Sequence, residues 1–137
     1  MNIPHFTIIN DSAQVACGSC IDLMREIPDN SVDLVLTDPP YNLGLFMKGR
    51  GTNMEQLRPN HFAFQGWDDL DFKTWTSQMD QFLAECHRVL KKKGALVIFM
   101  SIIKVETIIS LAQKNGFYYK TTGIWHKKNP IPRNMNL

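Results

Sequence analysis

The pattern of apolar and polar positions predicts three short elements in the first part of the chain. Residues 6–9 and 14–17 are mostly apolar and are separated by turn-forming side chains, so both segments are predicted to be extended. Ser19 can cap a short helix with Asp22 as its capping-box partner, and Pro28 marks where that helix must have ended. We therefore expect a helix between extended segments.

The next apolar run, residues 32–42, reads VDLVLTDPPYN and organises the rest of the chain. Its first six residues have the length and composition of a buried strand. The acid, two prolines and aromatic residue that follow stop that strand abruptly. Strands separated by a helix are typical of a parallel sheet, in which chemistry collects at the carboxyl ends of the strands.

A long amphipathic helix is predicted after residue 70. Asp71 can cap it, the lysines at 91–93 can occupy its last turn, and Gly94 can end it. The apolar residues at helical spacing are predicted to be core, and Cys86 among them to be an inert buried thiol. They are Phe72, Trp75, Met79, Phe82, Leu83, Cys86, Val89 and Leu90.

The last part of the chain predicts a strand, a helix and a second strand. Residues 95–100 form a continuous apolar run of strand length, and residues 102–115 a helix closed by Gly116. Residues 117–126 are rich in aromatic and β-branched side chains, which favours a strand. The basic, proline-punctuated tail at 127–134 cannot continue the sheet.

Composition restricts the class of protein. A chain of 137 residues accommodates one domain, and 44% hydrophobic with 20% charged residues is ordinary for a globular protein. A net charge of +2 does not by itself indicate a nucleic-acid binder, so any such contact must come from local clusters. We expect a cytoplasmic protein, because neither a membrane span nor a signal peptide is evident.

Residues 44–66 have no clear period, and we expect them to form a mobile loop. The segment carries the cations Lys48, Arg50 and Arg58, which suit either a substrate-facing loop or a surface loop with solvated charges. For any single one of these residues we favour the second interpretation.

Three cysteines, at positions 17, 20 and 86, argue against a disulfide framework because the number is odd. Cys17 and Cys20 nevertheless have the CxxC spacing of a redox pair and lie where a strand is predicted to meet a helix. A thiol redox protein is therefore one alternative for the function. A zinc site is disfavoured, because the adjacent Cys86 and His87 would point in different directions on a helix.

The residues after the central strand combine three kinds of group. Pro39 and Pro40 fix φ and lack an N–H, so the backbone after Asp38 is stiff and its carbonyls are free to accept hydrogen bonds. Asp38 adds a carboxylate, and Tyr41 adds a flat ring that can stack on a planar ligand. Together they suit a planar group that carries an exocyclic amino group.

Asp38-Pro39-Pro40-Tyr41 resembles the DPPY motif of DNA amino-methyltransferases that use S-adenosylmethionine. The sequence around the motif strengthens the resemblance, which covers nearly all of the chain. The turn PDNSVD at 28–33 precedes it, and HRVLK at 87–91 followed by Gly94 comes later. The resemblance implies an α/β, Rossmann-like fold with a mostly parallel sheet, of which this chain would hold an incomplete part.

The resemblance also implies a reaction, the transfer of a methyl group from S-adenosylmethionine to the exocyclic amino group of a flipped base in double-stranded DNA. Asp38 and the Pro39 carbonyl would accept the two amino hydrogens, while Pro40 stiffens the turn and Tyr41 stacks on the base. An aspartate at the first position of the motif favours adenine, since cytosine-specific relatives usually carry serine there.

Other residues would complete the site. The segment WHKKNP at 125–130 resembles the wall of the base pocket opposite the tyrosine, so Trp125 is a candidate second wall or else a structural residue. Asn42 is a further candidate for substrate binding, and Lys48 and Arg50 are candidates for phosphate contacts. Gly18, Ser19 and Cys20, together with Asp38, would bind the methyl donor.

Two departures from the family pattern affect these expectations. The family typically has Gly-Asp where this chain has Gly18-Ser19, and serine is the weaker acceptor. The glycine-rich donor motif and the target-recognition region are absent from the sequence. We therefore expect a fragment or one half of a split enzyme that pairs with a complementary chain, or a chain that self-associates. A catalytically inactive remnant that binds DNA or a partner chain is the alternative.

Overall fold

The computed structural model describes residues 6–10, 12–43, 69–126 and 128. The elements in these ranges are β1 (Thr7–Asn10), β2 (Ala13–Val15), α1 (Cys20–Met24), β3 (Val32–Thr37), α2 (Phe72–Val89), β4 (Leu90–Ile98), a 3-10 turn (Ile102–Lys104) and α3 (Val105–Lys114). No helix among them is both long enough and apolar enough to cross a membrane.

The strands form two pairs of opposite type. β1 and β2 make an antiparallel hairpin, while β3 pairs with β4 in parallel. The parallel register joins Leu34 to Ala95 and continues to Thr37 and Ile98. The prediction of an α/β chain with a parallel strand pair is confirmed, but the early strand expected to share that sheet, β2, pairs with β1 in a separate sheet. The larger Rossmann-like sheet stays a prediction.

The core lies between α2, α3 and one face of the parallel pair. α2 buries Trp75, Met79, Phe82, Leu83, Cys86 and Val89, as the helical spacing predicted. Val35, Leu96 and Ile98 pack against this cluster from the sheet, and Ile108 from α3. Phe72 is the exception among the predicted core residues, because it is 55% exposed at the start of the helix.

The sequence predicts the first end of α2 correctly and the second end wrongly. Asp71 caps the helix as expected, and its side chain accepts the Thr74 N–H at 3.0 Å. The other end was predicted wrongly: the helix ends at Val89, and the lysines at 91–93 belong to β4. Lys91 pairs with Asp33 of the neighbouring strand at 2.8 Å, an attraction that helical spacing does not reveal.

Gly94 lies inside β4 and does not end a helix. A Cβ atom at this position would lie 2.9 Å from Leu90 Cδ2 and 3.2 Å from the Asp33 carbonyl oxygen. The absence of a side chain therefore allows β4 to approach β3 closely just after an irregular part of the register.

The capping box predicted for α1 was also wrong. Ser19 occupies the N-cap position, but its side chain makes no capping hydrogen bond. Asp22 instead accepts a bond from Arg25 at 2.8 Å on the exposed side of the helix. Asp22 therefore forms an ion pair with Arg25, three residues further along the helix, and does not take part in a capping box.

The strand predicted at residues 117–126 does not form. Tyr118 and Ile124 are 90% and 92% exposed, and no described strand pairs with this segment. β propensity takes effect only when a segment pairs with a neighbouring strand, and this segment pairs with none of the described strands. The helix before it ends as predicted, with Gly116 at φ +89°.

One face of the parallel pair is left uncovered by the described residues. Leu34 is 52% exposed, Leu36 is 63% exposed and Val97 is 44% exposed. Parallel strands are usually buried on both faces, so this apolar face is unusual for such a pair.

Arg88 at the end of α2 ties the turn after α1 to the helix. Its guanidinium donates to the carbonyls of Met24 at 2.7 Å and Ile27 at 2.9 Å, and also to Asp29. It forms an ion pair with Glu85 at 2.7 Å as well. A single side chain therefore satisfies two backbone carbonyls that end α1 and the loop before β3.

We expect Arg88→Met to lower the free energy of unfolding by about 2–4 kcal/mol, because the Ile27 carbonyl and the half-buried Glu85 carboxylate lose the Arg88 donor and the Met24 carbonyl keeps only the Ile27 N–H. Urea unfolding followed by circular dichroism measures this change. Arg25→Met is the matched control, since Arg25 and Asp22 are exposed by 60% and 67%, and it should cost less than about 1 kcal/mol. An equal loss of free energy of unfolding in the two variants would contradict the stabilising role of Arg88.

Candidate functional site

The carboxyl ends of β3 and β4 lie side by side. The ladder ends at Thr37 and Ile98, and the Phe99 N–H then donates to the Thr37 carbonyl at 2.9 Å. Asp38 follows directly, so the proline turn leaves the sheet at the edge where parallel strands collect functional groups.

Asp38 and Tyr41 are in direct contact within this turn. The Tyr41 hydroxyl donates to Asp38 Oδ1 at 2.6 Å, a distance typical of a hydroxyl bonded to a carboxylate. The carboxylate is exposed and the tyrosine half-buried. Oδ2 of Asp38 accepts no hydrogen bond from any described residue, so this oxygen can accept a ligand's hydrogen.

The environment of Tyr41 keeps its phenol protonated. Burial is the largest cause that raises the pKa of Tyr41 to about 12, followed by the hydrogen bond to Asp38 and the negative charge of that carboxylate. The phenol is therefore a hydrogen-bond donor throughout the physiological range, and it orients the carboxylate beside the ring.

The two prolines expose different carbonyls. The Pro40 carbonyl accepts from the indole N–H of Trp75 at 3.4 Å, a long contact, whereas the Pro39 carbonyl accepts no bond from the described residues. The carbonyl next to the carboxylate is thus the one that is open to a ligand.

Asn42 occupies a structural position that the sequence did not indicate. It is 7% exposed with φ +53°, and its side-chain amide bonds the backbone of Leu70 in both directions. Oδ1 accepts the Leu70 N–H at 2.8 Å, and Nδ2 donates to the Leu70 carbonyl at 2.9 Å. Both polar atoms predicted for substrate binding are therefore already engaged within the chain.

Trp125 lies at the same edge of the sheet as the turn. It is 73% exposed, and its ring meets Phe99 edge to face with 6.0 Å between centroids. Because Phe99 bonds to the last residue of β3, an exposed aromatic pair stands near the Asp38 turn. Sequence reasoning had not singled out Phe99.

The residues predicted to bind the donor are exposed at the start of α1. Gly18, Ser19 and Cys20 are exposed there, and the Ser19 hydroxyl makes no capping bond, although the Ser19 carbonyl accepts the Leu23 N–H at 3.0 Å. The exposed hydroxyl suits the polar adenosine part of S-adenosylmethionine. The exposed Asp38 carboxylate suits its positive sulfonium. Among the described residues, no hydrogen bond or ion pair joins the 18–20 segment to the Asp38 turn.

The remaining candidates are the cations of the predicted loop, the cysteines and possible metal ligands. Lys48, Arg50 and the rest of the loop at 44–66 lie outside the described residues. Cys17 and Cys20 are exposed free thiols, while burial raises the pKa of Cys86 to about 12 and makes it inert. No group of three or more possible metal ligands occurs in the described ranges.

Comparison with known proteins agrees with the motif. The DNA methylase family model, of the N6/N4 methyltransferase type, matches residues 32–136. Type II methyltransferase M.HinfI of Haemophilus influenzae is 35% identical over 120 residues, which cover 84% of this chain and 32% of that protein. Type II methyltransferase M.HpaI of Haemophilus parainfluenzae is 31% identical over 114 residues, which cover 82% of this chain and 31% of that protein.

The chain spans about a third of the length of these curated relatives. The family match includes β3, the Asp38 turn, α2, β4 and α3, which are the elements that build the candidate site. The resemblance inferred from the sequence is confirmed: the chain belongs to the DNA methylase family.

Proposed function

We propose that this chain supplies the site that binds the target base in a methyltransferase, and that the enzyme modifies the exocyclic amino group of adenine in double-stranded DNA. The observation that carries the proposal is the contact between Asp38 and Tyr41 at the carboxyl end of β3. It leaves one carboxylate oxygen, one proline carbonyl and one aromatic ring available at a single turn.

The chemistry needs such an arrangement because an aromatic amine is a weak nucleophile. Its lone pair is delocalised into the ring until the nitrogen becomes pyramidal. Asp38 Oδ2 and the Pro39 carbonyl accept the two amino hydrogens and favour that geometry, which frees the lone pair for in-line attack. As the N–C bond forms, the bond from the methyl group to the sulfur of S-adenosylmethionine would break and its electron pair would stay on sulfur. The Asp38 charge stabilises the positive charge that develops on the nitrogen, and Asp38 Oδ2 then takes one amino proton, which leaves a neutral methylamino group.

The ring of Tyr41 holds the plane of the base. A base inside a duplex cannot reach these groups, so the target adenine is flipped out of the stack and lies on this ring. Trp125, exposed beside Phe99, forms the opposite wall of the pocket. Lys48 and Arg50 stay candidates for contacts with phosphates of the duplex.

S-adenosylmethionine, when bound, supplies a methyl group attached to a positively charged sulfur. Gly18, Ser19 and Cys20 hold its adenosine part through the exposed groups at the start of α1. Asp38 attracts the positive end of the donor toward the amine, and so orients both reactants.

Further polypeptide completes the enzyme. The curated relatives are about three times as long as this chain, and the glycine-rich donor motif and the target-recognition region are not in its sequence. We propose that these parts lie in adjoining or complementary polypeptide, with self-association as the other arrangement. The enzyme then acts in the cytoplasm, where the duplex is accessible.

The methylated base provides the direct test. The locus, with its flanking coding sequence, is expressed in a host that lacks DNA methylation, and digested DNA is analysed by mass spectrometry. We expect N6-methyladenine, and Asp38→Asn should reduce it by about 10²–10³-fold because the charged acceptor is lost.

Asp33→Asn is the matched control, because Asp33 lies on β3, the strand that leads into Asp38, is exposed and pairs only with Lys91 among the described residues. It should leave methylation within about twofold of wild type. The appearance of N4-methylcytosine, or equal methylation in the Asp38 and Asp33 variants, would overturn the proposal.

Tyr41 should titrate near pH 12 in the folded chain. Because this pKa lies above the ordinary 10.0, the contribution of the phenol to stability is complete below pH 10 and is lost as the pH rises through about 12. Carbon-13 NMR of the tyrosine Cζ atoms measures the pKa, and Tyr41→Phe assigns the resonance.

Asp38→Asn should move the Tyr41 titration to lower pH, since it removes both the charged acceptor and the repulsion of the phenolate. Tyr118→Phe, which changes a residue 90% exposed and outside the turn, should leave the Tyr41 resonance unchanged. An Asp38 variant with an unshifted Tyr41 would show that the two side chains do not interact in solution.

A further inference from the structure

The catalytic turn is anchored at two points that flank Tyr41. The Pro40 carbonyl before it receives the Trp75 indole N–H at 3.4 Å, and the Asn42 amide after it bonds Leu70 at 2.8 and 2.9 Å. Tyr41 therefore stands between two residues that are each held by the same neighbouring segment.

That neighbouring segment is the start of α2, which is firmly placed. Leu70 immediately precedes the capping residue Asp71, and Trp75 is 2% exposed in the core. The ammonium of Lys104 lies 5.0 Å above the Trp75 ring, which adds a cation–π contact to its packing. Because Leu70 and Trp75 are fixed in this way, their bonds to Asn42 and to the Pro40 carbonyl hold the turn in a defined position.

Asn42 is suited to this role by both its backbone and its side chain. A φ of +53° lies in the left-handed region, which asparagine tolerates better than most residues. The side-chain amide offers a donor and an acceptor side by side on one short flat group, as the N–H and carbonyl of Leu70 require. At 7% exposure the amide itself is largely shielded from water.

We propose that Asn42 is a positioning residue, which holds Tyr41 against Asp38 by fixing the end of the turn to the start of α2, with Trp75 as the second and weaker anchor. This inference rests on the proposed function of Asp38 and Tyr41. It also replaces direct substrate binding as the role of Asn42, because both polar atoms of the amide are used within the chain.

Asn42→Gly tests the inference, because it removes the amide bonds to Leu70 while glycine accepts the positive φ without strain. The NMR titration of Tyr41 is measured in this chain, and kcat and KM for duplex DNA in the locus-encoded enzyme. We expect the Tyr41 titration to move to lower pH. We also expect kcat to fall by about a hundredfold, because small displacements of reacting groups have large effects on rate.

The matched control is Asn115→Ala. Asn115 also makes two side-chain amide bonds, to Asp80 at 2.7 Å and to the Leu111 carbonyl at 2.9 Å, at a site remote from the turn along α2. It should lower the thermal midpoint without changing the Tyr41 titration or kcat. Trp75→Phe, which keeps the buried ring and removes one donor, should shift the Tyr41 titration in the same direction as Asn42→Gly but by less.

The outcomes separate this inference from the proposed function. If Asn42→Gly lowers the thermal midpoint as the control does, but leaves the Tyr41 titration and kcat unchanged, Asn42 is merely structural and the inference is overturned. If the wild-type locus methylates no DNA, the proposed function fails, while the Tyr41 titration still decides whether Asn42 positions the ring.

Discussion

The parallel ladder between β3 and β4 is the constraint on which the candidate site depends. Val35 faces the α2 core and Leu36 the opposite side, so a shift of the ladder by one residue would expose the packed residues. The register therefore fixes where β3 ends. Asp38 emerges at the carboxyl edge beside Phe99 only because this register is held.

Much of this arrangement was predictable from the sequence, for physical reasons. The strand before Asp38 is apolar and stopped by two prolines, and the α2 stripe repeats at helical spacing over 18 residues. Such strong local patterns leave few alternatives for the fold of these segments. The motif at 38–41 could also be recognised, because its chemistry is concentrated in four consecutive residues.

What could not be predicted depends on contacts between distant residues. The pairing of Asn42 with Leu70 spans 28 positions, and neither residue differs from an ordinary loop residue in the sequence. The same applies to Lys91. Its sequence context predicts the last turn of a helix, whereas the residue lies in β4 and binds Asp33 on the adjacent strand. The strand predicted at 117–126 does not form for the converse reason: the segment has a local preference for a strand but pairs with none of the described strands.

The Asn42 amide has one more consequence, for the tolerance of the chain to insertions. By joining Leu70, it holds together the two points of the chain that flank residues 43–69. The entropy lost on joining two points of a flexible chain grows only slowly with the number of residues between them, by about 0.6 kcal/mol for each doubling. Segments of very different size can therefore be accommodated between Asn42 and Leu70 while the geometry around Tyr41 is conserved.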